Sequence, residues 1–432
     1  MSLLEVSGVI DVSAPGPTTR IDGPRMEAST AALPRAELRV VLYSHDTMGL
    51  GHLRRNQLIA QAITESVTTA KVLLIAGVRQ ACSLELPPRT DCLTLPGFCK
   101  SPAGCYESRS LDLPIEELAA MRSASIRAAV ESFDPDLFVV DKAPRGVSGE
   151  LDDVLAWLRR RGKARTVLGL RDVLDEAVAV RNDWRRGAYA AAVERFYDEI
   201  WVYGDPRVYD LAAEYSWDRR LTTKTRYLGY LDQRRRLGDL NGRDSDILAN
   251  LKQTNGQLVV CSVGGGQDGE GLAQSFLRAD LPDFAHAALI AGPFMPPVVR
   301  RELESLIAGD PRRQLIDYLS EADALIQRAD LLVTMGGYNS VGSALSFGVP
   351  TLIVPRTVPR REQLIRAQRL AALNLVDVMD PSQATATAIG EWMAHPPLNR
   401  PQASSVIDLT GLDRLTAVVN QLTLASKERV HA

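Results

Sequence analysis

The chain has 432 residues, enough for two domains with cores of ordinary size, and its 50 Lys and Arg nearly balance its 53 Asp and Glu, leaving a net charge of −3. No global field therefore draws it to nucleic acid, and no apolar stretch reaches the length of a membrane span. Five cysteines without a CxxC pair, and no visible secretory leader, set the expectation of a reducing, cytoplasmic location.

Residues 1–37 are rich in Ala, Pro, Thr, Ser and Gly and read as a loosely held leader. Leu38 to Ser44 then has the pattern of a buried strand, and HDTMGLGHLRRNQLIAQAI turns through Gly49 and Gly51 into a helix with Leu53, Leu58, Ile59 and Ala62 on its apolar side. GLGHLR lacks the third glycine of a dinucleotide fingerprint, because Arg54 stands there, so a nicotinamide cofactor is disfavoured and no other cofactor is implied. His52 reads either as a helix-start histidine without chemistry or as a base beside a Gly-rich loop.

Buried-strand patterns follow at KVLLIAG, CLTLPG, DLFVVDK, RTVLGLRD and EIWVYG, with helical stretches between most of them. That alternation predicts a parallel, doubly wound α/β sheet. Between Phe98 and Pro114 lies a long polar loop carrying Lys100, Tyr106 and Arg109; a loop of this length is functional or simply solvated and flexible. Cys82, Cys92, Cys99 and Cys105 lack the paired spacing of a zinc site and read as free thiols, so no metal is expected. The basic run Arg159 to Arg165 beside Trp157 suits either a solvated helix end or weak peripheral contact with an anionic membrane face.

The composition turns polar near Gly229 to Ser245, which divides the chain into an N-terminal domain over residues 38–235 and a C-terminal one over 236–432. The second domain opens with a strand at Gln257 to Val263, ending in Gly264, Gly265, Gly266 and Gln267. A further strand and turn run from Ala287 to Phe294. Leu331 to Val333 leads into Gly336 and Gly337, then a short helix that Asn339 or Ser340 can cap, and a strand from Thr351 to Val354. Backbone N–H groups and the helix dipole would there face an anionic ligand, although a Gly-Gly turn can also serve packing alone. The loop from Pro355, with Arg360, Arg361, Glu362 and Gln363, gathers polar groups on the same sheet edge.

The run VTMGGYNSVGSALSFGVPTLIVP with PRREQLIRAQRL resembles the donor-binding half of GT-B glycosyltransferases. It is most similar to the family 28-like group that contains the peptidoglycan lipid-linked N-acetylglucosaminyltransferase, and to a bacterial branch beside it. The resemblance covers about Leu38 to Val378. It implies two Rossmann-like domains facing across a cleft and transfer of a sugar from a nucleotide diphosphate, as a UDP-sugar, to a hydroxyl acceptor that can be lipid-linked, with inversion and without a metal. Carried over residue by residue, it makes His52 the catalytic group. Gly49, Gly51, Gly264, Gly265, Gly266, Gln267, Phe294, Gly336, Gly337, Asn339, Ser340 and Ser343 become donor nucleotide contacts, Arg361, Glu362 and Gln363 sugar contacts, and Lys100, Tyr106 and Arg109, on the domain that faces the acceptor, acceptor contacts. Ser343 departs from the pattern, because the group carries a glutamate there for the ribose hydroxyls; Glu362 is the residue expected to compensate. Two alternatives stay open: a nucleotide-sugar hydrolase of the same fold, and a non-catalytic binding module.

Overall fold

A computed structural model of the protein describes residues 37–45, 50–79, 81, 85–100, 106–239, 256–319, 321–397 and 400–431. The leader up to residue 36 and Gly49 lie outside the described residues, as do Cys82 and Cys105. Nine strands belong to the first half: β1 Arg39–Ser44, β2 Lys71–Ala76, β3 Thr90–Thr94, β4 Phe98–Lys100, β5 Tyr106–Ser108, β6 Leu137–Asp141, β7 Arg165–Arg171, β8 Glu199–Tyr203 and β9 Thr225–Tyr227. Six belong to the second: β10 Leu258–Ser262, β11 His286–Ile290, β12 Arg313–Ile316, β13 Leu331–Thr334, β14 Thr351–Ile353 and β15 Asp377–Val378.

All but β4 and β5 fall into two sheets, ordered β3-β2-β1-β6-β7-β8-β9 and β12-β11-β10-β13-β14-β15. Every pairing within them is parallel. Helices cover both faces of such sheets, so β1, β6 and β10 are apolar almost without interruption and buried along nearly their whole length. Each order reverses direction once, between β1 and β6 and between β10 and β13. At such a reversal the loops at the carboxyl edge diverge and leave a crevice.

The helices that border these crevices or pack beside them include α1 Gly51–Ser66, α2 Glu270–Arg278, α3 Asp323–Ile326, α4 Tyr338–Phe347, α5 Glu362–Ala372 and α6 Gly411–His431. α1 buries Leu53, Leu58, Ile59, Ala62 and Ile63 against the first sheet. α6 returns from the second half to pack on α1, placing Leu415 and Val419 in the same core as Leu53 and Leu58. Asn420 Nδ2 also donates to Ser66 Oγ over 2.9 Å.

The halves are clamped by an ion pair between Asp172, just past β7, and Arg366 of α5, with exposures of 1% and 0%. Arg366 Nε donates to both Asp172 oxygens at 3.0 and 2.8 Å, and a terminal nitrogen adds a third bond at 2.7 Å. Tyr230 Oη donates to the same carboxylate at 2.9 Å.

The stretch expected to be a polar loop after Phe98 instead carries an antiparallel hairpin of β4 and β5. Its anchor is Phe98, fully buried against Leu118, with the Arg122 guanidinium 4.4 Å from its ring centre. In the basic run near Trp157, Lys163 pairs with Asp134 and Asp136 and Arg165 with Glu199, while Arg160 and Arg161 are exposed. Among the described residues no helix is long and apolar enough to cross a membrane.

Candidate functional site

Both topological reversals open on one cleft of about 430 Å³. Its first wall comes from α1 and the carboxyl ends of β6 and β7. His52 sits in the first turn of α1, and Asp141 is the last residue of β6. Because β1 and β6 pair through Tyr43 and Val140, the chain leaving β1 runs beside the end of β6. The result is a contact of 2.8 Å between His52 Nδ1 and Asp141 Oδ2, with 14% and 2% of the two side chains exposed.

Arg55, one turn along α1, donates one terminal nitrogen to both Asp141 oxygens at 2.7 and 2.5 Å. That nitrogen also lies 3.0 Å from His52 Nδ1, but an ionised Asp141 can only accept, so in the assigned tautomer Nδ1 donates to Asp141 and Nε2 keeps its lone pair. Nε2 has no partner among the described residues, and the ring lines the cleft. Burial pushes the His52 pKa down to about 4; Asp141 opposes this, while Arg55 and Lys142 add to it. Burial alone would raise Asp141, but Arg55 and then His52 outweigh it and hold the carboxyl well below its usual range. At neutral pH the pair is thus a neutral imidazole oriented by an ionised carboxylate. The His45 ring lies beside it, tilted by 48° with ring centres 4.9 Å apart, and its buried Nδ1 has no partner.

The opposite wall is the glycine-rich edge of the second sheet. Gly264, Gly265, Gly266 and Gln267 leave β10 and line the cleft, as do Phe294, Gly337, Asn339 and Ser340. Gly266 has φ +89°, and a Cβ there would lie 2.2 Å from the Ala291 carbonyl oxygen, so only glycine lets the two loops close up. The Phe294 amide donates to the Gly265 carbonyl at 2.9 Å and fixes that approach. A Cβ on Gly337 would meet nothing within 4 Å, which leaves open room in front of the α4 N-terminus.

Gly336 does something different from its neighbour. It is absent from the cleft lining; its carbonyl accepts from Arg366 at 3.0 Å and a Cβ on it would lie 2.6 Å from Ile353 Cγ2. Asn339 Nδ2 donates 3.1 Å to the Gly51 carbonyl, joining the two walls.

Ser343 lines the cleft, and the carboxylate that meets it is not Glu362. Ser343 Oγ donates to Asp323 Oδ1 of α3 at 2.5 Å. Asp323 is 5% exposed and also lines the cleft; burial and neighbouring Glu321 raise its pKa, against Arg236 and Arg54. Glu362 instead accepts from Arg356 at 2.9 Å and lies 3.5 Å from Arg171, while its Oε2 is buried without a partner. Gln363 Oε1 accepts the Arg356 amide at 2.8 Å, and the residue lines the cleft.

Arg361 turns away, its amide donating to Asp175 at 2.9 Å and its guanidinium pairing with Glu176, and Arg360 lines the cleft in its place. Tyr106 reaches the cleft. Arg109 donates at 3.2 and 3.0 Å to the Phe98 carbonyl and braces the hairpin, and the Lys100 side chain lies outside the described residues. Residues that sequence reasoning passed over are Asp141, Lys142 and Arg171, though each stands at the carboxyl end of a strand pattern in DLFVVDK or RTVLGLRD, where a charged residue is itself a signal.

No protein-family model and no curated protein sequence matches the chain. Solved structures do match its architecture. The glycotransferase of kitacinnamycin superposes with a TM-score of 0.56 at 15% identity, over 92% of this chain and 100% of that one. Glycosyltransferase VinC in complex with dTDP gives 0.55 at 16%, over 91% and 100%. The UDP-GlcNAc 2-epimerase from Neisseria meningitidis bound to UDP-GlcNAc gives 0.54 at 13%, over 90% and 100%. The fold is GT-B.

In GT-B terms the dyad stands on the first sheet's crevice and the glycine edge on the second's, with His52 and the glycine edge lining the same cavity and Asp141 behind His52. Among the described residues no cluster of three or more His, Cys, Asp or Glu side chains is arranged to hold a metal ion. Cys92, Cys99 and Cys261 are free thiols.

Proposed function

We propose that the protein is a glycosyltransferase that moves a sugar from a nucleotide diphosphate sugar, as a UDP-sugar, to an acceptor hydroxyl. The observation that carries this reading is the His52–Asp141 pair facing a glycine-lined edge across one cavity. The fold similarity to glycosyltransferases and to a nucleotide-sugar epimerase supports it.

On this reading His52 Nε2 takes the proton of the acceptor hydroxyl, whose oxygen attacks the anomeric carbon as the bond to the diphosphate breaks. Asp141 steadies the imidazolium that forms. The departing diphosphate is received by amides of Gly264, Gly265 and Gly337 and by the positive end of α4, whose first turn has no acidic residue; the Gly266 amide is held by the Val263 carbonyl. Attack from the face opposite the leaving group gives inversion, and no step draws on a metal. Glu362 and Gln363 take the sugar hydroxyls. Asp323, through Ser343, supplies at the ribose the carboxylate that the helix itself lacks. The peptidoglycan-type group remains the proposed affiliation, with a role in polysaccharide or glycoconjugate synthesis.

The test is thermal stabilisation by UDP, GDP, dTDP and ADP, with and without Mg²⁺, followed by turnover of the sugar conjugate of whichever binds. A nucleotide at a hundredfold over Kd adds about 2.7 kcal/mol of stability. A response to UDP independent of Mg²⁺, with turnover lost in His52→Ala, supports the reading; no response to any nucleotide refutes it. A hydrolase of the same fold is the second reading, since the same dyad can activate water. Free sugar released at an undiminished rate without acceptor would establish it.

A further inference from the structure

Immediately after Asp141, Lys142 takes φ +69°, a left-handed conformation that costs a non-glycine residue on the order of 1 kcal/mol. Its side chain lines the cleft and has no hydrogen-bond or ion-pair partner among the described residues. Arg171, at the end of the adjacent strand β7, is 15% exposed, with Glu362 its nearest carboxylate at 3.5 Å. That carboxylate is already engaged by Arg356, and Arg171 Nε is buried without a partner. Arg360 enters from the loop before α5, and its nearest carboxylate, Asp175, is 3.9 Å away and accepts amides from Glu176 and Arg361.

Three cations thus converge where the fold supplies too little negative charge. Elsewhere in the cleft the guanidinium groups are matched: Arg55 by Asp141, Arg54 by Glu321, Arg356 by Asp268 and Glu362. Burial lowers Lys142 well below its usual pKa, with Arg360 and Arg171 adding to the effect against Glu362 and Asp141, and burial lowers Arg171 to about 10 against Glu362. Besides the long contacts to Glu362 and Asp175, the cluster has the Leu174 carbonyl 3.3 Å from Arg171; holding positive groups together on shared, distant acceptors is costly, and an entering anion relieves the cost. The dyad chemistry makes no use of them.

We infer that Lys142, Arg171 and Arg360 form an anion-binding subsite beside His52, which takes a carboxylate or phosphate carried by the acceptor. It rests on the reading of the glycine edge as the donor nucleotide site. Arg171 ends β7 and Lys142 follows β6 directly, both on the wall that bears the base, so an acceptor pinned there by its charge would present a neighbouring hydroxyl to Nε2.

The probe is inorganic phosphate, titrated at fixed ionic strength into the full chain with and without saturating UDP and followed by calorimetry. The wild type is expected to bind one phosphate with UDP present. Lys142→Gln and Arg171→Gln should each raise the phosphate Kd at least tenfold while leaving the UDP Kd within twofold, which also reports that the variants are folded. Phosphate affinity unchanged in both variants overturns the subsite. Competition between phosphate and UDP reassigns the cations to the donor diphosphate and overturns it as well. A Lys142→Gln loss in affinity for UDP-glucuronate but not UDP-glucose places the anion on the donor sugar, against an acceptor origin. If UDP fails to bind the wild type at all, the donor reading falls and the acceptor assignment with it; UDP binding without phosphate binding removes the subsite alone.

Discussion

Asp172→Asn tests the clamp between the halves. The substitution keeps the shape of the side chain but leaves Arg366, fully buried, facing an amide in place of the carboxylate that accepts its three bonds. Removing one partner of a buried pair costs about 3–5 kcal/mol, because the surviving charge is stranded. With an unfolding entropy of ~2.1 cal/mol/K per residue over roughly 400 residues, that loss corresponds to a drop of about 4–6 °C in Tm. Differential scanning calorimetry at neutral pH measures it. Asp172→Leu combined with Arg366→Met should recover at least half of the loss, since neither charge is then buried alone. A single-variant drop below about 1 °C would mean that Arg366 finds water or another acceptor, and that the pair does not hold the halves together.

Three further outcomes are expected. The His52 imidazole, followed by NMR and assigned with His52→Gln, should titrate near 4, below its ordinary 6.5. Above pH 6.5 neither folded nor unfolded chain protonates it. Between 6.5 and about 4 only the unfolded chain does, so stability falls with pH by about 3 kcal/mol more in the wild type than in His52→Gln. Equal slopes in the two proteins would contradict this. Asp323→Asn should weaken UDP binding at least tenfold, whereas Glu362→Ala should affect discrimination among UDP-sugars more than binding of UDP itself; the reverse ranking would return the ribose to Glu362. Gly336→Ala should cost about 2–4 kcal/mol, from a left-handed φ of +83° and the overlap with Ile353, measured by urea denaturation.

The glycine loops were legible because their signal is local: an apolar strand, then Gly51, Gly264 or Gly337, then a helix. The same locality made His52 visible but not its partner, since Asp141 lies 89 residues away and only the parallel pairing of β1 with β6 brings them together. Ser343 was recognised as a departure, yet its carboxylate comes from α3, a four-residue helix without periodicity of its own. Arg360 and Arg361 are adjacent and chemically alike; which one enters the cleft depends on Asp175 and Glu176 from the other half. The short strands β9, β12 and β15 were missed because two to four residues cannot display a pattern. Phe98 hid in a polar stretch because one buried aromatic is enough to seat a hairpin.

The return of α6 onto α1 sets a condition for building chimeras from this protein. The backbone passes between the halves near Leu228 to Arg236 and again near Asp408, where Tyr230 donates its amide to the Asp408 carbonyl at 2.8 Å. A graft joined at one crossover would bring a foreign last helix against Leu53 and Leu58 and discard Leu415 and Val419, which fit them. Exchanging donor specificity therefore calls for two junctions, with the swapped segment taken as an insert and the final helix kept with the half it covers.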